Sequence, residues 1–577
     1  MIVVDRLRFN YPALDPGGEP VCILDGVSFE VPEGTCAAVT GASGSGMTTL
    51  CMAAAGLAPR LTGGSVSGRI TVGGRDVQTE PPGALADVLG VGLEDPAGQL
   101  LNPTVADEIG WGLENLGIPP AEMPARIGRA LELMHLGDIP LDQPPQTLSG
   151  GQQRRLALAA ALALEPRALI LDHPSGGLSP LGRAELIAAL RELRDRQSLT
   201  ILFAENDPAV IAALADEVLI LEHGRIAARG RPAEIYAAFG QRRFAGVGAP
   251  PAGAFAQAVN ARRNGSAPPL TCLTLDQALD QVKGYRLNGL DASAGETTPS
   301  QPAGNGEIAV QLEAVSYGYR PDQPILKDFN LSIPRGQLAA ITGDNGAGKT
   351  TLARHLIGLL RPQMGCVRLF GEDIAGQKVS ALARQIGFAF QNPELQIFNA
   401  SVREEVSFGP RNLGLRGEAL RAAVEAAIEW FGLGALAETP PAMLSYSGRR
   451  LTALAGIAAM DTPILVLDEP TVGLDADGQA RVEGWLAERQ RAGVTIVLIT
   501  HDMELAARCA KRAIVMEGGR ISADGDPREV FGRGEALARA GLEQPFAAGF
   551  AAGLRRPELA ADLTPAGAAA AWLEHLA

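Results

Sequence analysis

Residues 343–351 read GDNGAGKTT, and residues 41–49 read GASGSGMTT. The later stretch has the form G-x-x-x-x-G-K-[ST]. Glycines at that spacing let successive backbone N–H groups turn inward around phosphate, and the following helix adds its positive N-terminal end. Gly343, Asp344, Asn345, Gly346, Ala347, Gly348, Lys349, Thr350 and Thr351 therefore read as a phosphate-binding loop. Lys349 supplies a mobile cation and the Thr350 hydroxyl suits Mg2+. The earlier stretch keeps Gly41, Gly44, Gly46, Thr48 and Thr49 but has Met47 in the lysine position.

The two loops belong to an internal repeat. Gly41 and Gly343 stand 302 positions apart, and EGTCAAVTG (33–41) mirrors RGQLAAITG (335–343) at that offset. QLLNPTVADEIGWGLENLG (99–117) mirrors QIFNASVREEVSFGPRNLG (396–414), and LILDHPSGGL (169–178) mirrors LVLDEPTVGL (465–474). Such stable offsets mean two copies of one domain. Apolar β-branched runs that end in glycine or acid and lead into helical stretches predict an α/β fold, a mixed, largely parallel sheet with flanking helices in each copy. The expected organisation is a first domain over 1–241, a linker with a short helical appendix over 242–306, a second domain over 307–537 and a C-terminal helical appendix over 538–577. The linker assignment rests on Ala, Gly, Pro, Ser and Asn enrichment. The appendix rests on LTLDQALDQVKG (273–284), echoed by LTPAGAAAAWLEHL (563–576).

Composition narrows the class. The chain has 577 residues, 46% hydrophobic and 20% charged, which suits large folded cores. A net charge of −15 argues against a nucleic-acid partner. No uninterrupted apolar run reaches membrane-spanning length, and MIVVDRLRFNYP lacks the pattern of a signal peptide. Six scattered cysteines without C-x-x-C fit reduced thiols rather than a disulfide framework or a zinc site.

ILVLDEP (464–470) is an apolar strand ending in Asp468, placed for Mg2+, and Glu469, placed to polarise an attacking water. LSGGQQRR (148–155) resembles the signature of ATP-binding-cassette (ABC) ATPases, and the resemblance covers nearly the whole chain twice. It implies two tandem P-loop NTPase domains, each with a helical subdomain, that close face to face around ATP and Mg2+. Each nucleotide would lie between one domain's phosphate loop and the other's signature. In that family's terms Tyr319 matches the aromatic beside adenine. Gln391 matches the glutamine sensing Mg2+ and water, Asp475 the aspartate after the Asp-Glu strand, and His501 the switch histidine. Ser149, Gly150, Gly151 and Gln152 form the intact signature. Lys349, Gln391, Glu469 and His501 would carry catalysis, with Thr350, Gln391 and Asp468 around the metal.

The first copy departs from this pattern together at Met47, Glu94, His173 and Asn206, while keeping Tyr11 and Asp172. The second copy's signature reads LSYSG (444–448), keeping Ser445 but placing Tyr446 where glycine should approach phosphate. In the face-to-face arrangement all five changes fall into one composite site and spare the other, leaving one competent and one degenerate site. Ser179 replaces the aspartate that Asp475 matches.

FQNPELQIFNASVREEVSFGPRNLGL (390–415) resembles the ATPases of energy-coupling-factor (ECF) importers, which take up vitamins or transition-metal ions, as does GLEQPFAAGFAAGLR (541–555). This implies two partners, an integral membrane coupling subunit and a substrate-binding membrane subunit that selects the cargo. It also implies a peripheral place on the cytoplasmic face of the membrane. Alternatives are the fused ATPase of a sugar or peptide importer, or a soluble tandem ABC protein acting on ribosomes. The latter usually carries a charged arm between its copies, and 242–306 holds few charges.

Overall fold

The computed structural model describes residues 1–13, 18–81, 83–96, 98–239, 242–263, 269–285, 306–320 and 323–576. The chain divides into two compact units, Met1–Gly253 and Ala254–Ala577.

In the first unit, CAAVTG forms the strand Cys36–Gly41, buried along its whole length. A run apolar on both faces suits the interior of a parallel sheet covered by helices. It lies third in a six-stranded sheet of order Arg225–Gly230, Glu217–Glu222, Cys36–Gly41, Thr200–Ala204, Ala168–Asp172, Leu89–Gly92. All neighbours are parallel except the first pair. A four-stranded antiparallel sheet (Val21–Val31, Ile2–Tyr11, Ser65–Val72, Arg75–Asp76) packs its apolar face with the helix Met47–Ala54 into one core. The helices Val105–Asn115, Met123–Leu133 and Gly150–Ala163 pack together as a separate subdomain.

The second unit repeats the plan. Its six-stranded sheet runs Ile386–Ala389, Ile464–Asp468, Thr495–Ile499, Leu338–Gly343, Arg512–Glu517, Arg520–Gly525, the same order read from the other edge. The helical subdomain is Val402–Leu413, Gly417–Trp430 and Tyr446–Ala458. In both units the central strand and the Asp-bearing strand end at the same edge of the sheet. This is the carboxyl edge, where open α/β sheets bind ligands.

The stretch expected as linker contributes the helices Pro251–Arg262 and Leu275–Val282. From Ala254 onward these residues group with the second unit. Phe255 lies 4.6 Å from Phe550, 5.5 Å from Phe546 and 6.2 Å from Trp572, ring centre to ring centre. The helix Leu275–Val282 lies close against Phe546–Leu554: a Cβ on Gly549 would meet Leu275 at 2.8 Å and one on Gly553 would meet Leu279 at 2.6 Å. The two helical phrases recognised in the sequence thus share one apolar cluster. No helix among the described residues is long and apolar enough to cross a membrane.

Candidate nucleotide sites

In the second unit the loop 343–348 connects the central strand to the helix Lys349–Leu356. Gly346 and Gly348 have φ of +83° and +102°, a region that favours glycine, which explains their place in the motif. Lys349 is 9% exposed, and its Nζ donates to the carbonyls of Gly343 (2.7 Å) and Asp344 (3.0 Å). Burial lowers its pKa, while nearby Glu469, Asp468 and Asp344 oppose that shift. The ammonium is thus held inside the loop by groups that phosphate oxygens can replace.

Beside it the Thr350 hydroxyl donates to Asp468 Oδ2 at 2.8 Å. Burial, then the neighbouring Glu469 carboxylate, pushes Asp468 up to about 6. A hydroxyl and a carboxylate paired in a dry corner beside a phosphate loop are a donor set suited to Mg2+. Glu469 sits one residue past the strand with φ +52°, unusual for a side-chain-bearing residue and a mark of a functional position. Its Oε2 accepts from Thr500 Oγ1 (3.0 Å). Its Oε1 accepts from the His501 backbone N–H (2.9 Å) and lies 2.6 Å from His501 Nδ1. Burial alone would raise the Glu469 pKa, but His501 and Lys349 outweigh it and hold the group ionised. The structure therefore brings Lys349, Thr350, Asp468, Glu469 and His501 together. Tyr319 is exposed, and its hydroxyl accepts from Arg354 Nη1 at 3.1 Å. The backbone carbonyl of Gln391 accepts from the fully buried Arg450, while its side chain is exposed.

The first unit builds the same corner from other residues. Met47 occupies Lys349's position and is 5% exposed, packed into the apolar core. Thr48 Oγ1 still donates to Asp172 Oδ1 (3.2 Å), and Tyr11 OH meets Thr49 Oγ1 (3.3 Å). Burial pushes Asp172 up to about 6, as in its twin. His173 takes Glu469's place, with φ +47°. Facing it stands Glu205, the counterpart of Thr500, which the sequence reading did not single out. His173 Nδ1 lies 3.8 Å from Glu205 Oε1, and Nε2 lies 4.0 Å from Asp172 Oδ1. Glu205 also accepts from Ser175 Oγ (2.6 Å), Asn206 N (2.8 Å), Asp207 N (3.1 Å) and Ser175 N (3.3 Å). Burial alone would lower the His173 pKa, but Glu205 and Asp172 raise it to about 9. The same pairing outweighs burial at Glu205 and brings it down to about 2. Acid and imidazole are both present, on exchanged strands, and the acid's oxygens are already engaged. Asn206 presents an amide, whose Oδ1 has no partner among the described residues, where the twin has His501.

The signatures differ as the sequence indicated. Ser149 caps the helix Gly150–Ala163, accepting from Gln152 N (3.3 Å) while Gln152 Oε1 accepts from Ser149 N (3.0 Å). Ser445 caps Tyr446–Ala458 by accepting from Gly448 N at 3.1 Å. The Tyr446 ring packs on Gly473 of its own unit, where a Cβ would meet its edge at 2.5 Å, and its hydroxyl accepts from Arg450 Nη2 at 2.8 Å. The tyrosine is thus seated against the loop that follows Glu469. Arg450 ties this seat to the carbonyls of Phe390 and Gln391. Its twin Arg154 keeps the equivalent bond, to the carbonyl of Glu94 (2.7 Å), and reaches the carbonyl of His173 (2.6 Å). Arg154 lies within the quoted LSGGQQRR and Arg450 at the same offset in the second copy, but the motif gave neither a role.

An apolar surface marks the stretch 390–415. Leu395 is 70% exposed, Phe398 64% and Phe408 41%, with the two rings 4.7 Å apart edge to face. Buried Glu405 fixes the loop below, accepting from Phe398 N (3.0 Å), Asn399 N (2.8 Å) and Asn399 Nδ2 (2.9 Å). Glu108 does the same beneath exposed Leu101 and Trp111 in the first unit.

A family model for ABC transporters matches residues 24–176 and 326–472. A "Putative ABC transporter ATP-binding protein" of Methanosarcina acetivorans is 35% identical over 559 residues, covering 96% of this chain and 90% of its own. One of Methanosarcina mazei is 33% identical over 561 residues, covering 96% and 94%. Among solved structures, cbiO1 from Clostridium perfringens, described as part of the ABC transporter complex cbiONQ, is 34% identical. It covers 40% of this chain and 94% of its own, with a TM-score of 0.37. A repeated phosphate-loop sheet and a match that runs the length of the chain agree: this protein belongs to the ABC transporter ATPases, with two ATP-binding domains in tandem.

Proposed function

We propose that this chain is the ATP-hydrolysing subunit of a membrane importer of the ECF type, for vitamins or transition-metal ions, with a single competent ATP site. The observation that carries the reading is the contrast at the strand ends. Glu469 is ionised and backed by Thr500 and His501, whereas His173 fills the same place beside a carboxylate that four donors already occupy.

ATP would bind with its phosphates in the loop 343–351, its adenine beside Tyr319 and its far side against the intact signature Ser149–Gln152 supplied by the first domain. Thr350, Asp468 and Gln391 would hold Mg2+, which supplies charge neutralisation on the phosphates. Lys349 moves from the carbonyls of Gly343 and Asp344 to the terminal phosphate. His501 turns to the same phosphate, leaving Glu469 Oε1 with the His501 backbone N–H alone. That oxygen accepts a proton from the attacking water as the water oxygen bonds to the terminal phosphorus and the bond to the ADP oxygen breaks. The degenerate site, combining Met47, Glu94, His173 and Asn206 with Ser445 and Tyr446, retains Thr48 and Asp172 for nucleotide and Mg2+ but has an imidazole in place of Glu469 and an amide in place of His501. Closure and reopening would move coupling helices of a membrane subunit seated on Leu395, Phe398 and Phe408. The wording of 390–415 supports the ECF assignment, and the rigidly backed aromatic pair supports a docking role.

Glu469→Gln is expected to lower ATP turnover by about 10² to 10⁴, while His173→Ala stays within about twofold of the unaltered chain. Comparable loss from both would refute the one-site reading. Copurification with a small membrane protein supports the importer; copurification with ribosomes would replace it.

A further inference from the structure

The helix Met503–Cys509 begins two residues after His501 and is capped by Asp502, whose Oδ1 accepts from Leu505 N at 2.9 Å. Asp502 N in turn donates to Thr500 Oγ1 at 3.0 Å. His501 is thus fixed to the first turn of this helix. In the same turn, Glu504 Oε1 accepts from the backbone N–H of Phe546 at 2.6 Å. Phe546 is the first residue of the helix Phe546–Leu554, so the carboxylate satisfies an N–H with no partner inside its own helix. Glu504 Oε2 is buried and has no hydrogen-bond partner among the described residues.

A second contact lies on the same segment. Gly541, at φ +69°, rests on the phosphate loop, where a Cβ would come within 2.8 Å of Asp344 Cγ. Asp344 is the residue whose carbonyl holds Lys349 Nζ. Residues 541–546 therefore touch both the phosphate loop and the helix behind the switch histidine.

The first unit separates these contacts. Gly246, at φ +70°, presses on Ala42 of its phosphate loop just as Gly541 presses on Asp344. The counterparts of Glu504 and Phe546 at the same repeat offset, however, are Ala209 and Pro251. An alanine side chain has no acceptor and proline has no N–H. Both partners of the bond are missing together in the copy that has Met47, His173 and Asn206 at the positions of Lys349, Glu469 and His501.

We propose that Glu504 is a positioning residue for ATP hydrolysis: its bond to the Phe546 amide braces the helix that aims His501. The brace anchors that helix to the C-terminal helical cluster and gives the switch histidine a fixed lever. It rests on the assignment of Glu469 and His501 made above. Failure of that assignment shows as Glu469→Gln retaining turnover. Failure of the brace shows as Glu504→Ala retaining turnover while Glu469→Gln does not.

The experiment is steady-state ATPase kinetics on the full chain. Glu504→Ala is expected to lower kcat about tenfold with the KM for ATP within about twofold, because it misdirects a group used in the chemical step. Glu504→Gln, which keeps an acceptor oxygen, is expected to retain at least about half of kcat. An unchanged kcat in folded Glu504→Ala, or an equal loss in Glu504→Gln, overturns the proposal. Should Glu504→Ala fail to fold, amide exchange on the unaltered chain decides. Binding of a non-hydrolysable ATP analogue with Mg2+ is expected to slow exchange of the Phe546 amide, and an unaltered rate overturns the brace.

Discussion

At the end of its Asp-bearing strand each unit places one carboxylate and one imidazole, but in opposite order. The second unit has Glu469 on the Asp strand and His501 beyond the neighbouring strand, with the small Thr500 between them. The first has His173 on the Asp strand and Glu205 in the threonine's place. Both arrangements neutralise a buried charge, so both are compatible with a folded core. In the second unit one of the three donors to the carboxylate is the movable His501 imidazole, the others being the His501 backbone N–H and the Thr500 hydroxyl. The hydrogen bonds to Glu205 come instead from the backbone N–H groups of Ser175, Asn206 and Asp207 and from the Ser175 hydroxyl. The two corners therefore share an electrostatic balance and differ in which donors occupy the carboxylate.

The largest test of this comparison is an attempted reversal. His173→Glu would face Glu205 and Asp172 with a third buried carboxylate and is expected to destabilise the first unit by about 3–5 kcal/mol. Glu205→Thr alone leaves the imidazole without its counter-charge. The double variant copies Glu469 and Thr500 and is expected to recover most of the loss, with a coupling of about 1–3 kcal/mol. Urea unfolding of the four proteins reads this directly. Additive losses would mean that the two side chains do not act as a pair.

A smaller effect follows from pH. The folded His173 pKa is raised to about 9, so its stabilising contribution is complete below the unfolded value of about 6.5 and is lost as pH rises through 9. Glu205 is lowered to about 2, so its contribution is complete above its unfolded value of about 4.3 and is lost as pH falls toward 2. The difference in unfolding midpoint between the unaltered chain and the His173→Ala/Glu205→Ala variant should be largest between these two windows. A difference that does not change from pH 5 to pH 9.5 would contradict the ion pair.

Much of this was legible in the sequence because the motifs specify backbone as well as chemistry. The glycines of 343–348 and the buried runs CAAVTG and LAAITG dictate a strand, a phosphate loop and a helix. The parallel sheet then brings Asp468 and His501 to the same edge as Lys349. Glu205 was missed because an acid closing an apolar strand reads as a solvated end, and its counterpart Thr500 belongs to no quoted motif. A cue was present: Glu205 follows Ala204, which pairs with Asp172 across the sheet, and so stands beside the flagged His173. The seat of Tyr446 was not legible, since it depends on Gly473 and Arg450 meeting across the subdomain. Alanine, glycine and proline enrichment led to the linker reading of the ends of 242–306, with a helix expected only at 273–284. Phe255 in AGAFAQAV nevertheless repeats Phe550 in AAGFAAGL at the same offset, and those two rings lie in contact.

If one chain hydrolyses ATP at one place, vanadate trapping on the intact protein counts that place. With Mg2+, vanadate and photoreactive ATP, about one trapped ADP per chain is expected, cross-linked after proteolysis to the fragment carrying Lys349. Two trapped ADP per chain, or label on the fragment carrying Met47, would contradict it.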